Sequence, residues 1–285
     1  MDSNQLRKAA LHYHRHPKPG KIAVTPIKQL TNQYDLSMAY SPGVAFACEE
    51  IVADPAEVSN LTARANLVGV VTNGTAVLGL GAIGPLAAKP VMEGKGVLFK
   101  KFADIDVFDL EIEERDPDKL IDIIASLEPT FGGINLEDIK APECFYIEKK
   151  LRERMKIPVF HDDQHGTAIV VGAAILNGLH LIGKDLSTVK VVTSGAGAAA
   201  LACIDLLVML GVPVENIWVT DIKGLVHEGR LEEMDEIKAR YAKKTDARTL
   251  GEVIAGADVF LGLSAGGVLK PEMVARMAAR PLIMA

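Results

Sequence analysis

A segment in the second half of the chain has residue types and spacing that would let its backbone cradle a phosphate group. The β-branched run Val189–Thr193 leads into Gly195-Ala-Gly-Ala-Ala-Ala200, a G-x-G-x-x-A motif, and an apolar helix-like run follows. The first glycine permits a tight turn, the second lets backbone N–H groups approach a pyrophosphate, and the small third residue lets the helix pack closely. The pyrophosphate then lies at a helix N-terminus, where free N–H groups favour anions.

Two residues that follow this loop, Asp221 and Lys223, bear on whether NAD or NADP would bind. Asp221 ends the next strand-like run, where its carboxylate would accept a hydrogen bond from a ribose hydroxyl, as in NAD-binding proteins. Lys223 follows two residues later and would instead pair with the 2′-phosphate of NADP. The local sequence therefore leaves NAD and NADP open. The predicted coenzyme-binding residues are Gly195, Ala196, Gly197, Ala198, Ala199, Asp221 and Lys223.

Two pairs of adjacent carboxylates each follow an apolar run and precede a break in the pattern. Glu137 and Asp138 form the first pair, and Asp162 and Asp163 form the second. Three or more carboxylates that converge at strand ends would suit a hard cation such as Mg²⁺ or Mn²⁺. Spacing alone leaves two simpler interpretations open. The first pair would be solvated strand-end residues, and Asp163 would cap the helix that follows it.

The elements that must position these groups are easiest to predict in the second half. Apolar and charged periodicities predict helices over 167–181, 198–210 and 230–244, and strands over 189–193, 217–220, 257–263 and 281–285. Strands that alternate with helices are typical of a parallel α/β sheet. The first half is less regular, with predicted helices over 5–13 and 120–127 and predicted strands over 67–72, 76–80, 96–99 and 107–112. Composition changes near residues 160–166, which predicts two domains.

Composition excludes several classes of protein. The 285 residues are 49% hydrophobic and 24% charged, which is ordinary for a globular protein and argues against disorder. There are 31 Lys and Arg against 37 Asp and Glu, a net charge of −6, so binding to nucleic acid is not expected. The three cysteines are widely spaced without a C-x-x-C motif, which indicates reduced thiols. His161 and His165 have the spacing of a zinc site, but no third soft ligand accompanies them.

The N-terminal stretch, residues 1–20, is polar and carries His12, His14 and His16. It lacks the apolar core of a signal peptide, and its histidines are expected in a flexible surface segment. A run of about 18 apolar residues without interruption is also absent from the sequence. The sequence therefore predicts a cytoplasmic protein that does not bind membranes.

Taken together, these motifs resemble those of the malic enzymes from about Tyr13 to the last residue. The resemblance rests on four blocks, at residues 40–44, 72–81 with 89–95, 131–142 and 160–167. The glycine loop follows these blocks, in the order found in the family. The opening stretch, 13–21, is most similar to the bacterial NADP-linked branch. The resemblance implies an N-terminal α/β catalytic domain, residues 1–164, followed by a Rossmann-like parallel-sheet domain for NAD(P), residues 165–285, that is incomplete at its C-terminus.

The resemblance also implies oxidative decarboxylation of L-malate to pyruvate and CO₂, with reduction of NADP and with Mg²⁺ or Mn²⁺. Lys95 matches the general base that takes the proton of the C2 hydroxyl, which requires a pKa lowered by burial or nearby cations. Tyr40 matches the acid that protonates C3 of enolpyruvate, and Asp162 matches a residue that orients the lysine. The matching metal ligands are Glu137, Asp138 and Asp163. A homodimer or higher homo-oligomer is expected from the family.

Two departures from the family pattern keep alternatives open. Ala65 stands where the pattern has glycine, in Arg64-Ala-Asn-Leu67. The chain ends before an Asn-Pro motif and a later asparagine that contact malate and the nicotinamide end, so it is expected to be a truncated portion. The alternatives are an NAD-linked malic enzyme and a non-catalytic fragment that binds dinucleotide or dimerises. An amino-acid dehydrogenase is less favoured, because it would leave the acidic pairs without a role.

Overall fold

The computed structural model describes residues 2–77 and 79–285. The chain divides into two compact units, the first within residues 1–139 and 146–160 and the second within residues 140–145 and 161–285. The first is built on a four-stranded sheet and the second on a five-stranded sheet. Helices connect strands that pair mainly in parallel, which confirms the predicted α/β class.

The strands are β1 Leu67–Thr72, β2 Asp106–Glu111, β3 Gly133–Leu136, β4 Val159–His161, β5 Val191–Ser194, β6 Ile217–Asp221, β7 Gly224–Leu225, β8 Val259–Gly262 and β9 Leu282–Met284. The helices are α1 Ser3–Arg15, α2 Gln33–Ala39, α3 Val44–Ala53, α4 Val58–Leu61, α5 Pro85–Ala103, α6 Pro117–Ser126, α7 Glu143–Arg154, α8 Asp162–Ile182, α9 Ala198–Leu210, α10 Glu236–Ala239, α11 Leu250–Val253 and α12 Pro271–Val274.

The four-stranded sheet has the order β2-β1-β3-β4. Strand β1 pairs in parallel with both β2 and β3, and all four residues of β3 are buried. Strand β3 leads directly into Glu137, and β4 leads directly into Asp162. The two predicted acidic pairs therefore follow neighbouring strands.

The five-stranded sheet has the order β7-β6-β5-β8-β9, with β5 in the centre. Strand β5 pairs in parallel with β6 and β8, so its carboxyl end opens into the glycine loop between two neighbours. Helices α8 and α9 contribute Ile175, Leu179, Ile204 and Leu207 to a core that also holds Val191 of β5. This packing fixes the start of α9 behind the loop.

Helix α8 has the length and mean hydropathy of a helix that crosses a membrane. That test uses length and composition only, and core helices of globular proteins also pass it. In the second unit, one face of α8 is buried and lies in the same apolar core as α9. Only 22% of its apolar window is buried, so α8 packs one face into this core and leaves apolar side chains such as Ile169 and Val170 exposed.

Most predicted elements are confirmed in type and place, with ends that differ by up to five residues. The strand predicted over 96–99 is wrong, because these residues form part of the 19-residue helix α5. At Gly96 a side chain would contact Val107 of β2, so the glycine lets the helix approach the strand closely. A four-residue apolar run does not distinguish a strand from a buried helical turn.

The helix predicted over 230–244 is also wrong, since only Glu236–Ala239 is α-helical there. Arg230 binds the Asp221 carboxylate instead, which holds the segment in an irregular conformation. The strand predicted over 76–80 lies partly outside the described residues. In the described part, Val77 forms only an isolated bridge to Gly81.

The cysteines are free, as the sequence predicted. Cys144 and Cys203 are buried, whereas Cys48 is exposed on α3. Burial raises the pKa of the Cys203 thiol to about 12, so this side chain is an unreactive part of the core.

The N-terminal segment differs from the rest of the chain in burial. Residues 2–66 include no buried residue in this structure. Many of their large apolar side chains are exposed: Val24, Ile27, Leu30, Tyr34, Met38, Tyr40, Phe46 and Val52. An apolar surface of this kind usually marks an interface.

Candidate active site

Three carboxylates meet at the ends of β3 and β4. Glu137 and Asp138 follow β3 and are 5% and 3% exposed, and Asp163 lies in the first turn of α8. One carboxylate oxygen from each of the three residues lies within 4.8 Å of the other two. The structure thus brings together the three predicted metal ligands.

The donor set of this cluster fits a hard divalent cation. Carboxylate oxygens are the ligands that Mg²⁺ and Mn²⁺ prefer, and close burial of like charges is costly without a compensating positive charge. Among the described residues, the only group of this kind consists of these three carboxylates. Neither His161 nor His165 belongs to it, so the zinc alternative gains no support.

Backbone geometry at the end of β3 aims the two adjacent side chains of the cluster. Asp138 has a φ of 55°, in the left-handed region, which aspartate tolerates better than most residues. Its carbonyl oxygen accepts a hydrogen bond from the N–H of Ala76 at 2.9 Å. This turn ends the strand and lets Asp138 and Glu137 contribute to the same cluster.

Helix α5 brings Lys95 to the cluster. The helix begins with Pro85 after Gly84, whose φ of 83° directs the chain into the first turn. The Lys95 Nζ lies 3.2 Å from Oε1 of Glu137, and the lysine side chain is 20% exposed. The second oxygen of Glu137, Oε2, accepts a hydrogen bond from Nδ2 of Asn135 at 2.8 Å. Each oxygen of this carboxylate thus has a different partner.

The first turn of α8 places the second acidic pair. Asp162 is the first residue of the helix, and a Cβ atom at Gly166 would overlap its Oδ1. Glycine at 166 therefore leaves room for this carboxylate. Asp163 Oδ2 lies 3.6 Å from Nε2 of the fully buried His161.

Tyr40 stands apart from these contacts. It follows α2, is 70% exposed, and forms no side-chain hydrogen bond with any part of the chain that the structure describes. The predicted proton donor is thus not held by hydrogen bonds at the carboxylate cluster.

The glycine loop has the conformation that its sequence predicts. Gly195 has a φ of 121°, and a Cβ atom there would overlap the carbonyl oxygen of Leu263. The hydroxyl groups of Ser194 and Ser264 are 2.7 Å apart, which joins the loop to the segment after β8. Gly197 precedes α9 with no atom within 4 Å of its Cβ position, so a ligand can approach the backbone there.

Asp221 ends β6 as predicted, but its carboxylate already has several partners. Arg230 binds both oxygens, the backbone N–H of Lys223 donates at 2.8 Å, and Nζ of Lys238 lies 3.5 Å away. Burial alone would raise the pKa of Asp221, but the hydrogen bonds from Arg230 and the Lys223 N–H outweigh it and lower the pKa. Nζ of Lys223 lies 3.2 Å from a carboxylate oxygen of Glu232.

Sequence reasoning missed three polar residues at these sites. Arg230 and Lys238 follow Asp221 by 9 and 17 residues, and no spacing rule connects them with a strand end. The sequence could have identified Asn135 as a neighbour of the Glu137 side chain, because it precedes Glu137 by two residues in an apolar run. In a strand, that spacing places both side chains on one face.

Replacing Gly195 by alanine should weaken both the loop and coenzyme binding. The new Cβ would overlap Leu263 and require a strained φ, so we expect the free energy of unfolding to fall by about 1–3 kcal/mol. Gly197→Ala is the matched control, because its Cβ enters open space on the ligand side. It should leave stability unchanged and still reduce dinucleotide affinity. Urea unfolding and titration with NAD⁺ and with NADP⁺ test both variants, and equal stabilities of the two variants would show that Leu263 does not constrain residue 195.

Comparison with known proteins places this geometry in a family. The model of the malic enzyme N-terminal domain matches residues 19–117 and 111–152, and the model of the malic enzyme NAD binding domain matches residues 164–285. An NAD-dependent malic enzyme from Rhizobium meliloti is 66% identical over 283 residues, covering 99% of this chain and 37% of the relative. An NADP-dependent malic enzyme from Haemophilus influenzae is 63% identical over 284 residues, covering 99% and 38%.

Solved structures agree with these sequence comparisons. The NAD-dependent malic enzyme from Thermotoga maritima is similar with a TM-score of 0.88 and 44% identity, over 99% of this chain and 74% of that one. The chain spans well under half the length of the two curated relatives above. Sequence, fold and carboxylate geometry agree, and the chain belongs to the malic enzyme family.

Proposed function

We propose that the protein catalyses metal-dependent oxidative decarboxylation of L-malate to pyruvate and CO₂, with NADP as the hydride acceptor. The observation that carries this proposal is the cluster of three carboxylates with Lys95 beside Glu137, in a chain of the malic enzyme family. The glycine loop at the end of β5 supplies the second requirement, a site for a dinucleotide.

Lys95 is the proposed general base. In its neutral form it would take the proton of the C2 hydroxyl while hydride leaves C2 for the nicotinamide. Glu137, 3.2 Å from Nζ, would stabilise the ammonium group that forms. Asp162 is the proposed positioning residue for this lysine. A divalent cation held by Glu137, Asp138 and Asp163 would supply Lewis-acid stabilisation of negative charge at the C2 oxygen.

Tyr40 is the proposed acid for the last step. After CO₂ leaves, C3 of enolpyruvate must gain a proton, and a phenol hydroxyl can donate it. Its 70% exposure allows substrate or another protein surface to approach it.

NADP is the proposed coenzyme because of the charges at the end of β6. The Asp221 carboxylate lies between Arg230 and Lys238, and Lys223 adds a third cation. Asp221 and Glu232, which lies 3.2 Å from Nζ of Lys223, supply two carboxylates against these three cations. One positive charge is left over, so this strand end suits a 2′-phosphate better than an uncharged ribose. NAD is the alternative, since a close relative is named as NAD-dependent.

We also propose that malate is the small-molecule partner and that the protein associates with itself in the cytoplasm, without binding nucleic acid or membranes. The exposed apolar side chains of residues 2–66 support self-association. The net charge of −6 supports the proposal that the protein does not bind nucleic acid. The free cysteines support a location in the cytoplasm.

Self-association predicts a mass of at least two chains by light scattering in solution. Phe46→Glu, at an exposed apolar position on α3, should shift the protein toward the monomer because it places a charge in the interface. A monomeric mass for the unmodified protein would contradict the proposal.

Replacing Lys95 by alanine should lower kcat about 10²- to 10⁴-fold, the usual contribution of a general base. NADPH formation and pyruvate are measured together, with L-malate, Mn²⁺ and NADP⁺ present. Lys101→Ala, on the last turn of the same helix, is the matched control and should retain activity. Equal activity of the two variants would refute the assignment of Lys95. No turnover by the unmodified protein would favour the non-catalytic alternative.

Removing the Lys223 side chain should raise the KM for NADP⁺ about tenfold, by loss of a charge-assisted contact to the 2′-phosphate. The KM for NAD⁺ should stay the same, because NAD lacks that phosphate. Steady-state assays of Lys223→Ala with each coenzyme give both values. A parallel change in the two KM values would show that Lys223 does not recognise the phosphate.

A further inference from the structure

Asn135 is a fully buried amide in an otherwise apolar strand. It lies in β3 between Ile134 and Leu136, and β3 itself lies between β1 and β4. Burying an amide is costly unless its polar atoms form hydrogen bonds. Its Nδ2 donates to Oε2 of Glu137 at 2.8 Å, but its Oδ1 has no partner among the described residues. The strand therefore keeps a costly residue whose hydrogen bond goes to one carboxylate.

The two oxygens of Glu137 are held from different sides. Lys95 Nζ lies 3.2 Å from Oε1, and the Asn135 amide holds Oε2. Removing the amide would take away the hydrogen bond to Oε2 and leave the contact between Lys95 and Oε1 in place. An amide is also uncharged, so it fixes a carboxylate without repelling a cation.

We propose that Asn135 is a positioning residue for the metal centre. It fixes the Glu137 carboxylate in the orientation in which an oxygen lies within 4.8 Å of ligand atoms of Asp138 and Asp163. This inference rests on the metal site of the proposed function. Partners of metal ligands act in this way in metalloproteins, where their loss typically lowers metal affinity about 10- to 100-fold.

The test is Mn²⁺ binding without malate or coenzyme, followed by the electron paramagnetic resonance signal of free Mn²⁺. Asn135→Leu removes the donor and keeps a similar volume, and we expect its Kd for Mn²⁺ to rise at least about tenfold. Ile134→Val is the matched control. It removes a buried methylene from the same strand, on the opposite face, and should keep the Kd within about twofold of the unmodified protein.

Glu137→Ala separates this inference from the proposed function. If the unmodified protein binds Mn²⁺ and Glu137→Ala does not, the metal site stands. Unchanged affinity in Asn135→Leu would then overturn the role of Asn135 alone. An equal loss in Ile134→Val would also overturn it, since the effect would reflect strand stability. Absence of Mn²⁺ binding by the unmodified protein would overturn both. Asn135→Val, with a β-branched side chain that suits a strand, replaces the leucine variant if that variant does not fold.

Discussion

Repulsion between carboxylates is the constraint on which the site depends. Glu137 and Asp138 are buried with oxygens less than 5 Å apart, where two negative charges repel by roughly 3 kcal/mol at an effective dielectric constant of about 20. Asp163 adds a third charge from the start of α8. Such a cluster is stable only if a positive charge or protonation of a carboxylate offsets this repulsion. Lys95 supplies part of that charge, and a divalent cation would supply the rest.

The surrounding elements are arranged to maintain this cluster. Interior strand β3 is buried along its length and delivers two of the carboxylates without freedom to move. Helix α5 approaches β2 closely at Gly96, which sets the position of Lys95 one residue earlier. In the second unit, close packing fixes the glycine loop in a similar way. Gly195 lies against the backbone at Leu263, where only glycine fits. In both units, buried strands hold the chemical groups at their ends.

Local sequence patterns predicted those features whose causes are local. The glycine loop is an example, because the φ of Gly195 and the start of α9 follow from neighbouring residues. The acidic pairs were also visible, because an apolar run that stops at two carboxylates is typical of a buried strand that ends at a polar site. Residues 96–99 were assigned wrongly, since a short apolar run fits either a strand or a turn of a longer helix, and here it belongs to α5. Arg230 was missed because its partner Asp221 is brought to it by a turn that no spacing rule describes.

The central claim is that Glu137, Asp138 and Asp163 bind one divalent cation. The most direct test is a crystal of the protein grown with Mn²⁺, with anomalous diffraction measured near the manganese absorption edge. The account predicts one strong anomalous peak with an oxygen from each of the three carboxylates within about 2.0–2.4 Å, the range for such ions. A well-ordered cluster with no peak, or a peak at other residues only, would contradict it.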